Sequence, residues 1–324
     1  MKVVQDLSDN YPDDLSHYTK FNEMGDDSND NVLFADLGAV TNPFLRFQHK
    51  DYKRKVAWTG EQPCAFTTGR KEIFGISGDF DDYFDKFYTV CPYSAEWLNT
   101  YFHKKEKFEL AIIPYNENDI PQREYEKEFD AIYWGNLHFK AHLDMVDAIS
   151  MFNSNFYTVH PAHWSMPMDM PTMQKYASLI TGVSTPRREM WEVLRKTKIF
   201  VITNVLPLRE EHIKSIKTIP NWEKNRAFSH LDQMIAPQMK TRAVEAAFNK
   251  TLCLVKKDPW NVIEEWFEPG VDFVYYENDA SLPNAIETIS KNWKDYEFIV
   301  ENAYKKAVEN YTSQKLFQRM SGEK

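Results

Sequence analysis

Nine short apolar runs, set apart by longer amphipathic stretches, constrain this chain more than any other feature. They are NVLFADL (31–37), KVAWTG (55–60), KFYTV (86–90), ELAIIPY (109–115), DAIYWG (130–135), NFYTVH (155–160), IFVITNV (199–205), TLCLVKK (251–257) and DFVYYE (272–277). Most are continuous rather than alternating, which is the pattern of strands buried on both faces of a parallel sheet. The clearest helical stretch between them is STPRREMWEVLRKTK. It offers Ser184 or Thr185 as a cap, Pro186 in the first turn, and a stripe of Met190, Val193 and Leu194. Strands and helices in alternation predict an α/β fold with helices on both faces of parallel sheets.

At 324 residues the chain has room for two domains. The charged segment NENDIPQREYEKEFD (116–130) lacks apolar periodicity and marks the expected boundary, giving domains at 1–127 and 128–292. Two α/β halves joined there would leave a cleft facing the carboxyl ends of their strands. Val300, Ala303, Tyr304, Ala307, Val308 and Tyr311 recur at helical spacing, so 293–324 is expected to pack as a terminal helix with one buried face. The first thirty residues read as an acidic lead-in with a short strand at Val3-Val4, and Leu206 to Ala236 reads as irregular.

Composition narrows the function. A net charge of -9 argues against a general binder of nucleic acid or anionic membrane, which needs clustered Lys and Arg. Cys64, Cys91 and Cys253 lie far apart, with no CxxC pair for zinc and no disulfide framework. With no apolar run of signal-peptide or membrane-spanning length, a soluble, cytoplasmic protein is expected.

The segment QMKTRAVEAAFNKTLCLVKKD (238–258) carries the most chemistry. On a helical wheel Ala243, Val244, Ala246, Ala247 and Phe248 share one face, and Arg242 and Glu245 share the other. The plain reading is a solvated i,i+3 ion pair. The functional reading uses the helix's place before a strand. Its N-terminus attracts phosphate, with Lys240 and Arg242 adding charge. Glu245, one turn on, suits the paired hydroxyls of a ribose. Diphosphate beside ribose describes a nucleotide-sugar.

Other constellations are weaker. In KVAWTGEQP, Glu61 follows a strand end, where a general base for an acceptor hydroxyl would stand, and Asp36 at the end of NVLFAD is the second candidate. Asp79 and Asp81 in GDFDD invite a Mg²⁺ or Mn²⁺ reading, though chance runs and helix caps give the same pattern. His138, His142, His160 and His163 lack the company zinc requires. His160, after a strand, could touch a donor. There is no GxSxG around Cys91 or Ser94, no P-loop at TTGRK and no GxGxxG anywhere.

The stretch KTRAVEAAFNKTLCLVKKDPWNVIEEWFEPGVDFVYYENDASLPNAI resembles the donor-binding half of a GT-B glycosyltransferase of the group-1 type. It is most similar to the branch in which an Arg-x-x-Glu-Ala-Ala helix leads to a strand and then to f-pG-d-vyy. The likeness extends over residues 128 to 320: DAIYWGN resembles the first strand and glycine turn, PRREMWEVLRKTKIFVITN a helix and strand, and DASLPNAIETI the closing helix. The resemblance implies two facing Rossmann-like domains, with a C-terminal helix crossing back to the first. The donor would lie on the second domain, and a glycan, lipid or small-molecule acceptor mostly on the first.

Carried over by position, Glu245 would bind the donor ribose. Arg242, Lys240 and Lys140 would face the diphosphate, and Gly135 would let it approach the backbone. Pro237 stands where the family's Glu-x7-Glu pair has its first carboxylate, which speaks against the common retaining mechanism. Glu61 is loosely similar to strand-end acids of inverting GT-B enzymes such as the fucosyltransferases. The expectation is a hexosyl- or pentosyltransferase that is inverting, metal-independent and without a cofactor. The alternatives are a metal-dependent GT-A enzyme using Asp79 and Asp81, or a non-catalytic carbohydrate-binding module with exposed aromatics such as Trp164 or Trp97.

Overall fold

The computed structural model describes residues 2–4, 32–36, 52, 54–59, 84–101, 108–112, 114–135, 140–158, 170–183, 185–218 and 221–321. These form two compact units. The first comprises Met1–Asp119, Asn204–Thr241 and Asn310–Lys324; the second comprises Ile120–Thr203 and Arg242–Glu309. The chain therefore passes between the units more than once rather than being cut at a single point.

In the first unit, β1 (Lys2–Val4), β2 (Val32–Asp36), β3 (Arg54–Thr59), β4 (Lys86–Thr89) and β5 (Phe108–Leu110) form a parallel sheet in that order. Helix α1 (Pro92–Tyr101) follows β4. Phe87 stacks on Phe108 at 4.8 Å, and Trp97 meets Phe228 edge-on at 5.1 Å. Phe228 belongs to the segment that reads as irregular in the sequence. That segment contains structure of its own: an antiparallel pair further along the chain, a helix and three 3₁₀ turns. It packs Leu208, Ile216, Ala227, Phe228, Leu231 and Ala236 into the core with Ala57, Phe87 and Trp97. At the chain's end, Ser313 N donates to the Tyr115 carbonyl at 2.9 Å, and Tyr115 N donates to the Tyr311 carbonyl at 3.0 Å.

The second unit is built on β6 (Phe129–Trp134), β7 (Ser154–Thr158), β8 (Gly182–Val183), β9 (Thr197–Thr203), β12 (Leu252–Lys256) and β13 (Val274–Tyr276), with β10 (Val205–Pro207) and β11 (Ile235–Pro237) forming the antiparallel pair of the first unit. Its six strands are all parallel, in the order β13-β12-β9-β6-β7-β8. The order reverses between β6 and β9, and in open α/β sheets ligands bind beyond the carboxyl ends of the strands at such a reversal. β9 and β12 are buried along nearly their whole length, as their continuous apolar runs predict.

The helices are α2 (Lys140–Ile149), α3 (Met170–Leu179), α4 (Arg187–Arg195), α5 (Glu210–Ile216, in the first unit), α6 (Arg242–Phe248), α7 (Leu282–Lys291), α8 (Glu297–Asn310) and α9 (Ser313–Ser321, in the first unit). Helix α4 carries Glu189 in its first turn and Arg195 in its last, matching the dipole, and buries Met190, Trp191 and Leu194. Its N-cap position falls on Pro186, whose side chain caps nothing, rather than on Thr185. Ser184 lies outside the described residues.

Helix α6 stops abruptly because Lys250 adopts a left-handed backbone with φ 51. Thr251 N then reaches the Ala246 carbonyl at 3.0 Å and Lys250 N the Ala247 carbonyl at 3.2 Å, a Schellman ending without the usual glycine. Surrounding bonds hold that conformation. Lys250 Nζ pairs with Glu124 at 2.7 Å and Glu301 at 3.0 Å. The Lys127 ammonium donates to the carbonyls of Arg195, Thr197 and Lys250 at 2.7, 2.9 and 2.7 Å. Burial pushes the Lys127 pKa down to about 7.

Beyond β12, Asp258 turns the chain into a 3₁₀ segment by accepting Trp260 N at 2.9 Å. Burial pushes its pKa from 3.8 up to about 6, against the pull of backbone N–H groups of Trp260, Asn261 and Val262. The folded state therefore holds the extra proton between these values. Asp258's contribution is fully present below about pH 4 and is lost as pH rises through about 6. The difference corresponds to about 3 kcal/mol. Asp258→Asn should be more stable than the parent by about 1–3 kcal/mol at pH 8 and show no gain at pH 4. Urea unfolding at both pH values checks this, and equal effects at both would refute it.

Candidate functional site

The carboxyl end of β6 runs Tyr133-Trp134-Gly135, and Gly135 N donates to the Tyr157 carbonyl of β7 at 2.9 Å. A Cβ added at Gly135 would meet Arg242 Nη2 at 2.8 Å, Arg242 Nη1 at 2.9 Å and the Tyr133 hydroxyl at 2.9 Å. The missing side chain makes room for a guanidinium. Burial pushes the Tyr133 phenol up to about 12, with Arg242 pulling the other way, so it stays neutral and able to donate. Desolvation lowers the pKa of Arg242, Tyr133 and Glu245 oppose that shift, and Arg187 adds to it. An arginine starts so high that it stays charged.

Glu245 follows three residues after Arg242 on α6, and here the structure departs from the wheel. Every residue from Ala243 to Phe248 is buried, Glu245 included at 2% exposed. The solvated i,i+3 pair is thereby overturned. Glu245 Oε1 lies 3.6 Å from Nε of Arg187, in the first turn of α4. The Arg187 guanidinium also sits 5.7 Å from the centre of the Trp134 ring. Gly182 in β8 helps bring the α4 segment in: a Cβ there would meet Thr185 Oγ1 at 2.5 Å and the Tyr157 ring at 2.9 Å.

The result is a buried carboxylate in ion-pair range of Arg187 and in electrostatic reach of Arg242, whose guanidinium lies at the end of β6 by the strand-order reversal. Two arginines suit bidentate recognition of phosphate oxygens, and the carboxylate suits hydroxyl donors. Helix α6 has seven residues, so side chains rather than its end carry the charge.

The remaining sequence-selected residues fall differently. Lys140 is exposed and its Nζ is held by Asp144 on its own helix at 2.6 and 2.7 Å. Lys240 lies in the first unit, ahead of α6; its N donates to Asn204 Oδ1 at 3.1 Å and its ammonium contacts Gln238. Asp36 is the last residue of β2, opposite Trp58. Glu61, Asp79, Asp81, His138, His160, His163 and Trp164 lie outside the described residues. His142 sits on α2 with its ring 6.5 Å from that of Tyr133. Trp97 is a core residue of the first unit rather than an exposed glycan platform. Among the described residues, no group of three or more His, Cys, Asp or Glu is placed to hold a metal. None of their helices is long and apolar enough to cross a membrane.

Sequence reasoning does not single out Trp134 and Arg187. Trp134 is visible beside the glycine turn, and Arg187 directly follows the proline that opens a helix leading into β9. A parallel-sheet order would have placed that helix start at the carboxyl edge; the order itself is not legible in the sequence.

No curated protein sequence matches the chain at a significant level. Solved structures match its fold. The Anabaena protein Alr3699/HepE, in complex with UDP and glucose, is 10% identical with a TM-score of 0.57, over 90% of this chain and 77% of that one. Sucrose-phosphate synthase from Thermosynechococcus elongatus is 10% identical with a TM-score of 0.57, over 90% and 72%. A mutant form of TarM from S. aureus is 9% identical with a TM-score of 0.56, over 94% of this chain but only 57% of that one. These neighbours share the GT-B fold, with its Rossmann-like domains. A family profile described as "Glycosyl transferase-like" matches residues 103–321, well over half of the sequence. The chain belongs to the glycosyl transferase-like family, with the GT-B fold of group-1 glycosyltransferases.

Proposed function

We propose that this protein transfers a hexosyl or pentosyl group from a nucleoside diphosphate sugar to an acceptor hydroxyl, with inversion and without a bound metal. The observation that carries the reading is the buried Glu245 paired with Arg187, with the coupled Arg242 guanidinium over Gly135 at the end of β6. Glu245 accepts the ribose hydroxyls, and Arg242 faces the diphosphate over Gly135. As the sugar C1 bonds to the acceptor oxygen, the C1–phosphate oxygen bond breaks. The negative charge gathering on the departing diphosphate is stabilised by the guanidinium. Glu61 takes the acceptor proton, with Asp36 as the second candidate. Lys140, Lys240 and His160 remain proposed donor contacts.

Pro237 in place of a carboxylate supports inversion. The UDP bound to the Anabaena neighbour makes a uridine nucleotide the first donor to try. The acceptor class is a glycan, lipid or small molecule, and the proposed location is the cytoplasm.

Thermal melting against uridine, guanosine, adenosine and cytidine diphosphates and their sugars, with and without EDTA, tests the reading. A nucleotide at a hundred times its Kd adds about 2.7 kcal/mol. The expected outcome is a higher Tm with one base, unchanged by chelator. A shift abolished by EDTA would overturn metal independence. No shift with any nucleotide would overturn the donor site and favour the carbohydrate-binding module.

A further inference from the structure

The two guanidiniums beside Glu245 are not equivalent. Arg242 packs over Gly135 and against the Tyr133 hydroxyl, at the end of β6. Arg187 approaches through Nε, 3.6 Å from Glu245 Oε1, while its guanidinium sits 5.7 Å from the centre of the Trp134 ring. A guanidinium within cation–π range of an indole has its position restricted, and its N–H donors lie in its own plane. Arg187 is itself largely buried, with 19% of its side chain exposed. A carboxylate as deep as Glu245 is costly to leave charged unless a cation faces it.

We propose that Arg187 is a positioning residue for sugar discrimination in the nucleotide. Held beside the Trp134 ring, it fixes the Glu245 carboxylate so that it accepts both hydroxyls of a ribose. The site thereby selects ribonucleotides over 2′-deoxyribonucleotides. This rests on the donor-site reading above and adds a residue and a selectivity to it. A lysine would retain the charge but lose the planar array of N–H donors, so charge alone does not perform the task.

The test compares Kd values of the four ribonucleoside diphosphates and their 2′-deoxy counterparts for the parent, Arg187→Met, Arg187→Lys and Glu245→Gln. The base that binds tightest serves for the comparison. The parent should prefer the ribonucleotide by about 10- to 100-fold, the scale of a hydrogen bond to a charged group. Arg187→Met should bring the ratio to within about threefold, and Arg187→Lys should fall between them. If Arg187→Met does not fold, Arg187→Lys decides alone. A parental ratio in a folded Arg187→Met, or in Arg187→Lys when Met fails, overturns the positioning role. A parent without preference, or Glu245→Gln with the parental ratio, overturns the ribose reading itself. Absence of nucleotide binding by the parent removes both.

Discussion

Gly135→Ala is expected to weaken nucleoside diphosphate binding by about ten- to a hundredfold, the scale set by displacing a binding group about 1 Å. Its effect on stability should be small. The new methyl would stand 2.8–2.9 Å from both terminal nitrogens of Arg242 and 2.9 Å from the Tyr133 hydroxyl, closer than real contacts allow. Something has to move. Tyr133 is locked in the core with Ala131, Leu143 and Ile199, whereas the guanidinium is the far end of a flexible side chain. Arg242 therefore yields, leaving the fold intact and the anion-binding charge displaced. Gly135 does not have a positive φ, so the effect is steric rather than conformational. Melting curves and titration calorimetry on the same sample separate the two quantities. Unchanged affinity with an unchanged Tm would mean that Arg242 does not face the ligand.

Replacing Glu245 should have the larger combined effect. Glu245→Ala leaves Arg187, and the nearby Arg242, without this counter-charge, and breaking a buried pair such as Arg187–Glu245 costs about 3–5 kcal/mol. Glu245→Gln keeps the shape and is the cleaner probe of binding. Its nucleoside diphosphate affinity should fall by about 10- to 100-fold as the charge-assisted bonds to the ribose are lost. Affinity for inorganic pyrophosphate should hold or rise, because a negative charge has left the neighbourhood of two cations. Equal losses for both ligands would mark Glu245 as a structural counter-ion only.

The strands are legible because burial on both faces writes itself as continuous apolar runs, as in β9 and β12. β8, with two residues, and the three-residue pair β10 and β11 carry too little pattern to be seen. They are fixed by contacts with distant parts of the chain. The ending of α6 is hidden for another reason: Lys250 occupies a left-handed position that glycine usually announces.

At the site, Glu245 can be selected from its spacing and its resemblance to a known motif. Its burial cannot, because a helical wheel assumes that a polar face meets water. The partner that makes burial tolerable, Arg187, comes from another helix, brought alongside by sheet order rather than by sequence proximity. Gly135 reads from sequence as a place for diphosphate to approach; the structure gives that room to Arg242.

The most direct measurement is a crystal structure of the protein with the nucleoside diphosphate that raises its melting temperature most. Glu245 should stand within about 3.2 Å of both ribose hydroxyls, with Arg242 on the diphosphate above Gly135. A nucleotide bound elsewhere, with Glu245 and Arg187 paired as before and touching no ligand, would contradict it.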